Sequence, residues 1–513
     1  MIMRTSIFIV LFAWCLTGCD KFLEEKSQSE IRPSTVNDME KLLEGEAYFN
    51  VSDGVVFSYA TDIFTDDYGC LPNPSDSYLN EKAKLKYKFT WDSYMFEDNG
   101  YGGDITLWKV PYERIKGCNV ILDYLDEMDG DDSDREHLRG EALMLRGYYY
   151  LMLVNFFGLP YNYGDPEKNP GVPLKLTSGV TDERFKRNSV AECYRQVEKD
   201  LLAGTNLMSE YRESRSLKVS RVNYLVGYTY LSRLYLYLED WERVIQYADS
   251  VLQDRPELMS FASNTSKAVY NNKGTTETLW VMLNTSIGNV VRIKRPYGAS
   301  EDLERVYSMD KTDEELDYRG DYANNQSSSN PTSRQICYLK MGFSNDSHKD
   351  ETGKTVYDDY WCAGVVKGFY LSDWCSAGVR NAELYLNRAE GYIRKYMESG
   401  DAGDARLALD DLNTLRQSRF DAKGFVEKTL EDFNGDGQAL LEFCWRERRR
   451  ELCGEGNHRW FDLRRQGMPQ ITHVYIDTDN GAEMEYVLQK EDSRYALVIP
   501  SEIRELNPNL TQN

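Results

Sequence analysis

Aromatic side chains crowd one short stretch of this chain. Between Phe89 and Tyr101 stand Trp91, Tyr94, Phe96, Asp98, Asn99 and Tyr101, just ahead of a helix-like run around Trp108. Flat rings set among amides and carboxylates suit one kind of recognition. A sugar ring offers apolar C–H faces to an aromatic platform, while its hydroxyls need Asn, Asp, Gln or Arg partners. A second stretch of that composition runs from Tyr357 to Trp374 with Asp358, Asp359, Tyr360, Trp361 and Tyr370, and Arg295 and Tyr297 are further contributors. The ligand-binding candidates are therefore Trp91, Tyr94, Phe96, Asn99, Tyr101, Tyr297, Tyr360 and Trp361. The competing expectation for any single ring is that it packs a loop onto the scaffold.

Other chemistries find less support. The histidines His137, His348, His458 and His473 stand in no metal-binding spacing, and there is no GxSxG, P-loop or dinucleotide fingerprint. Asp432, Asn434, Asp436 and Gly437 match the opening of a calcium loop. The acid required at the twelfth position is missing, since that place is Phe443 with Glu442 one residue early, so a capped loop ahead of a helix is the expectation. No paired carboxylate motif marks a glycoside hydrolase. No catalytic residue and no cofactor are assigned. The run Arg446–Arg450 is interspersed with Glu447 and followed by Glu451, which reads as internal ion pairing rather than an anion site, and Arg459 is expected to pair with Asp462.

The chain has 513 residues and a formal charge of -23. That charge argues against nucleic acid and against direct attraction to anionic lipid, and favours neutral or basic partners. At the N-terminus Arg4 precedes an apolar run from Ile7 to Leu16, too short for a permanent membrane helix, which ends in Leu16-Thr17-Gly18-Cys19. This resembles the bacterial lipobox. Residues 1–18 are thus expected to be a lipoprotein signal peptide and Cys19 the lipid attachment site, the only tie to a membrane. Acidic residues behind Cys19 resemble the signal that sends lipoproteins to the outer surface in the Bacteroidota. The remaining cysteines, from Cys70 to Cys453, form no CxxC pair and are expected to be mostly free, buried thiols.

The elements that must position any site are helices. Leu138, Ala142, Leu145, Tyr149, Met152 and Phe156 lie on one helical face, and Gly158 and Pro160 end it. Tyr224 to Leu238 and Trp241 to Leu252 read as two helices joined by a tight turn at Glu239-Asp240. The same arrangement returns at Ala382–Tyr396 and Ala405–Leu412 around a turn from Ser399 to Asp404. These hairpins suggest tetratricopeptide-like repeats. Between about 264 and 378 the pattern changes to long aromatic-rich loops with short strand-like runs at Leu279–Leu283 and Val290–Ile293. The expected fold is mostly α: a tetratricopeptide-like helical scaffold with long aromatic loops and short strands. Residues 19–513 form one ligand-binding domain, whose parts 19–260 and 261–513 are not separate domains.

Several blocks resemble the SusD/RagB family. They are Arg380-Asn381-Ala382-Glu383-Leu384-Tyr385 through Glu390, Leu412-Asn413-Thr414-Leu415-Arg416, and above all Glu447 to Leu452 continuing through Glu455-Gly456 to Arg459-Trp460-Phe461-Asp462-Leu463-Arg464-Arg465. Gly140-Glu141-Ala142 with Arg146 to Tyr149, Trp108 with Tyr112, and the closing Ile499-Pro500 and Asn507-Pro508-Asn509 agree. Asn457-His458 makes the step from Gly456 to Arg459 one residue longer than the usual pattern. The resemblance implies a non-catalytic lipoprotein on the outer surface of the outer membrane that binds a glycan and passes it to a partner SusC-like TonB-dependent transporter. It also places binding aromatics near residues 89–101. Peptide capture, as in the RagB branch, is the alternative, followed by a surface glycoside hydrolase and a ligand-free scaffold.

Overall fold

The computed structural model of the chain describes residues 33–49, 59–71, 79–98, 100, 103–262, 275–282, 296–320, 339–349, 355–365 and 378–512, with 59–60, 339–349 and 355–365 given as backbone alone. In chain order the helices are α1 (Val36–Glu46), α2 (Tyr59–Asp62), α3 (Leu79–Phe89), α4 (Thr106–Tyr124), α5 (Asp132–Phe157), α6 (Val190–Glu210), α7 (Tyr224–Leu238), α8 (Trp241–Leu252), α9 (Glu301–Val306), α10 (Ala382–Ser399), α11 (Ala402–Arg419), α12 (Gly437–Leu452), α13 (His458–Arg465) and α14 (Ser501–Leu506). Strands come as antiparallel pairs: β1 (Tyr68–Cys70) with β3 (Tyr297–Ala299), β2 (Thr278–Val281) with β6 (Gly378–Arg380), β4 (Leu339–Lys349) with β5 (Thr355–Val365), and β7 (Ile471–Ile476) with β8 (Glu483–Leu488).

Local sequence explains the hairpins. Between α7 and α8, Glu239 turns the chain in the left-handed region and the Asp240 carboxylate caps the next helix by accepting from the Arg243 N–H. Between α10 and α11, Gly400 supplies the left-handed residue and Asp401 the cap. The apolar stripes then meet: α10 buries Ala382, Leu386 and Ala389 against Ala405, Ala408 and Leu412 of α11 and Leu440 and Phe443 of α12. The helical-repeat scaffold is the one anticipated, and β2 occupies one of the two strand-like runs; 290–293 lies outside the described residues. Cys118, Cys193, Cys444 and Cys453 are buried free thiols and Cys70 a half-buried one; of Cys337, Cys362 and Cys375 no side chain is described.

The long helix α5 packs on α6 where Gly140 and Gly204 meet; a Cβ on Gly204 would stand 2.6 Å from the Gly140 carbonyl. Its far end carries the negative pole of the helix dipole. Arg187 donates to the Phe157 carbonyl at 2.7 Å and Arg464 donates to that of Gly158, and all the hydrogen-bond partners shown for these two guanidinium groups are carbonyls. Burial without a carboxylate lowers both, to about 10.

A second interior is ionic. Glu451 on α12 is fully buried, and Arg319, Arg380 and Arg419 converge on it at 3.2, 2.5 and 3.0 Å. The same arginines reach Asp317, Glu447, Glu277 and Glu455, so the segment after α9, the ends of β2 and β6, and helices α11 and α12 are tied through one dry network. Arg416 joins it through Glu315 and Glu447. The arginine block is structural, as its composition implied, but most of its partners are remote. Among the described ion pairs of this block, Arg450 alone keeps a within-helix bond, to Glu447. The expected Arg459–Asp462 pair does not form: Arg459 binds Asp66, while Asp462 binds Arg448 and Arg465, because α13 turns those two side chains to different neighbours.

Removing one charge from such a network leaves the rest buried and uncompensated. Glu451→Gln is expected to lower unfolding free energy in urea by about 3–5 kcal/mol. Burial works against ionised Glu451 and Glu447, yet the arginines around them hold both below the ordinary carboxylate value. Their contribution is therefore complete above the unfolded-state value and is lost as pH falls below it, so wild-type stability should drop on acidification more steeply than that of Glu451→Gln.

Candidate functional site

The aromatic stretch begins where α3 ends. Asp92 N–H donates to the Tyr87 carbonyl at 2.9 Å and Trp91 N–H to that of Lys88 at 3.3 Å, a helix stop that places Trp91 in the left-handed region at φ 51°. Glycine is the usual occupant of that place; a side chain costs roughly 1–2 kcal/mol there. Contacts of the ring offset the strain. The indole N–H donates to the Phe64 carbonyl at 2.9 Å, and the ring stacks on His473 of β7 at 4.2 Å. Phe89 stacks on the other face of the same imidazole at 4.1 Å. The His473 nitrogens lie 2.6 Å from the Phe89 carbonyl and 3.0 Å from that of Thr65, and burial pushes its pKa below the ordinary value.

The far end of the loop is fixed as firmly. Asp104 N–H donates to the Phe96 carbonyl at 3.1 Å, and its carboxylate meets Lys88 Nζ at 2.7 Å. Burial opposes ionisation of Asp104, but Lys88 and Thr106 hold it down at about 2. Glu97 accepts from the N–H and the hydroxyl of Ser501, which ties the loop to the start of α14. Between these anchors Tyr94 stands 63% exposed. Its N–H donates to Asp92 Oδ1 at 2.8 Å and its carbonyl accepts from Glu97 N–H. Asp92 is half-buried, and Ser93 and Asp98 are exposed beside it. The arrangement is an exposed phenol ring on a loop whose backbone is held at both ends, with carboxylates at hand to accept hydroxyl donors.

The sequence candidates thus separate. Trp91, Phe96 and Tyr297 are buried and serve as mounts: the Tyr297 hydroxyl donates to the Lys82 carbonyl at 3.0 Å and its ring lies 4.7 Å from that of Phe89. Tyr94 alone of the described rings in this loop faces outward. Asn99, Tyr101, Arg295 and Cys19 lie outside the described residues. Tyr360 and Trp361 are adjacent positions of β5, paired with Ser344 and Phe343 of β4. Asp432 and Asp436 are engaged as caps, Asp432 with the Thr429 N–H and Asp436 with the Gln438 N–H at the start of α12, and Asn434 is the left-handed residue between them. Among the described residues no group of three or more His, Cys, Asp or Glu side chains is placed to hold a metal ion.

His473 and the Glu97–Ser501 tie were not anticipated. A signal for His473 existed, since Ile471, His473 and Tyr475 alternate with Thr472 and Val474 and so belong to the inward face of a strand. Nothing local marks Ser501 as a partner of Glu97.

Residues 21–236 match the family model described as starch-binding associating with outer membrane, and residues 373–513 match that of the SusD family. The chain belongs to the SusD/RagB family. Solved structures share the fold. A SusD-like carbohydrate binding protein from Bacteroides vulgatus is 23% identical, with 93% of this chain and 97% of that one covered and a TM-score of 0.64. A SusD superfamily protein from Bacteroides thetaiotaomicron is 21% identical over 93% and 99%, with a TM-score of 0.64. One from Bacteroides fragilis is 18% identical over 93% and 99%, with a TM-score of 0.59. No curated protein matches the chain significantly. Among the described residues no helix is long and apolar enough to cross a membrane.

Mount and platform make opposite predictions. Trp91→Ala should lower unfolding free energy by about 3–5 kcal/mol, as for large aromatic truncations in a core. Tyr94→Ala should leave the urea midpoint within experimental error of wild type, because an exposed ring contributes little to folding.

Proposed function

We propose that this chain is a surface lipoprotein that captures oligo- or polysaccharide without cleaving it and delivers it to a partner TonB-dependent outer-membrane transporter. The single observation that carries the reading is Tyr94, exposed on a loop whose other described rings are turned inward to hold it. Stacking rewards such preorganisation, since a platform that is already fixed loses little entropy when a sugar settles on it. Family membership supports the same role, and the lipobox-like Leu16-Thr17-Gly18-Cys19 supports a lipid tether that keeps the protein beside its transporter.

Hydroxyls of a bound sugar would find acceptors in Asp92 and Asp98, and a neutral glycan is not repelled by a chain of charge -23. A glycan-array screen of the chain starting after Cys19, followed by calorimetry on the strongest hit, tests this. Tyr94→Ala is expected to weaken binding about tenfold or more, roughly 1.4 kcal/mol, without changing the fold. Binding of basic oligopeptides with no glycan bound would replace the reading by peptide capture, and release of reducing sugar from the hit would make the protein a hydrolase.

A further inference from the structure

Close to the Tyr94 loop the surface opens into a groove of about 610 Å³, between the segment that leads into α6 and the segment that follows α14. Lys168, Lys186, Arg187, Glu192 and Asn509 line it. One residue joins the groove to the loop: the ring of Phe157 lies 6.3 Å from that of Phe96, and its carbonyl accepts from Arg187 at 2.7 Å. A second link runs along α14, which starts at Ser501 on Glu97 and ends three residues before Asn509.

Arg187 carries five N–H groups, and the fold uses four of them. Nε donates to the Gly171 carbonyl at 2.7 Å, and Nη2 donates to those of Phe157 and Pro170 at 2.7 and 2.8 Å. Nη1 donates once, to the Thr511 carbonyl at 3.0 Å, which leaves its second hydrogen without an acceptor among the described residues. Burial lowers Arg187 to about 10, so it is still a cation at neutral pH.

The charges of the groove do not cancel. Glu167 is taken by Arg195 through both oxygens, at 2.5 and 3.1 Å, and Lys168 by Asp165 at 2.7 Å. Glu192 accepts from the Ser189 N–H at 2.8 Å in the capping box of α6, so the first turn of that helix is already satisfied. Lys186 is exposed and makes no ion pair among the described residues. Two cations, Lys186 and Arg187, are thus left without a carboxylate. The formal charge of -23 does not cancel their pull, because charges farther off than about 8 Å are largely screened at physiological salt.

We propose that this groove binds a carboxylate-bearing sugar residue, one carboxylate oxygen taking the remaining Nη1 hydrogen of Arg187 while the Lys186 ammonium closes on the other. A single remaining N–H suits one carboxylate oxygen and cannot present the paired fork that favours phosphate or sulfate. The assignment to a sugar rests on the saccharide capture proposed above; the attraction for a carboxylate does not.

Calorimetry of the chain starting after Cys19, with trigalacturonate and with uncharged galactotriose, tests the groove. Wild type is expected to bind the acidic trimer about tenfold or more tighter than the neutral one, as a charge-assisted hydrogen bond allows, and the difference should shrink with added salt. Lys186→Glu, at an exposed position and therefore with an unchanged urea midpoint, should abolish the preference; Arg187→Gln should abolish it too, but also loosens four carbonyl contacts. Hydrogen exchange should show residues 186–189 and 509–512 protected by trigalacturonate. Equal affinity for the two trimers, no binding of trigalacturonate, or a preference that survives Lys186→Glu overturns the proposal, and a triglutamate peptide that binds as tightly overturns the assignment to a sugar. Capture at Tyr94 is read separately, on a neutral array hit with Tyr94→Ala, so its failure and the failure of the groove are distinct results.

Discussion

A carboxylate taken out of water needs cations around it, and the geometry that satisfies Glu451 determines much of this molecule. Three arginines from three separate segments must arrive within hydrogen-bond distance of one side chain on α12. Desolvating those charges is expensive, so the network adds less net stability than its bond count suggests. What it contributes is position. The ends of β2 and β6, the segment after α9 and helix α11 each present a charge that is satisfied in one arrangement.

The constraint reaches the Tyr94 loop through the neighbouring residues of the same helix. Arg449, two residues before Glu451, points the other way to Asp67, and Arg459 on α13 grips Asp66. Those aspartates sit on the turn whose Phe64 and Thr65 carbonyls hold Trp91 and His473. Tyr94 is therefore presented at the end of a continuous series of buried polar contacts that starts at α12. Most aromatic rings in the stretch serve this mounting rather than recognition. A loop rich in Trp, Phe and Tyr can fix its own backbone because each ring buries a large apolar face and, for Trp and Tyr, still finds an acceptor for its polar edge.

Periodicity made the scaffold legible. The residues of the stripe from Leu138 to Phe156 are all buried on α5, although from Met144 onward that helix is buried on every side, and the hairpin turns fall at Glu239-Asp240 and, within the expected Ser399–Asp404, at Gly400-Asp401, since capping and left-handed residues act within a few positions of where they stand. The composition of residues 89–101 also marked the stretch on which the proposed function rests. Which ring faces outward was not readable there, because it depends on partners remote in sequence: Phe64 accepts the Trp91 indole, and His473 comes from a strand near the other end of the chain. The Arg459–Asp462 expectation failed for the same reason. A guanidinium group on a long side chain takes the carboxylate that the fold brings to it, and for Arg459 that is Asp66.

The most direct test of the account is a crystal structure of the chain grown with an oligosaccharide selected by array binding. A sugar ring is expected to stack on the open face of Tyr94, with hydroxyls directed to Asp92 or Asp98 and the Trp91–His473–Phe89 stack unmoved. A saccharide seated elsewhere while the Tyr94 ring stays bare would contradict it.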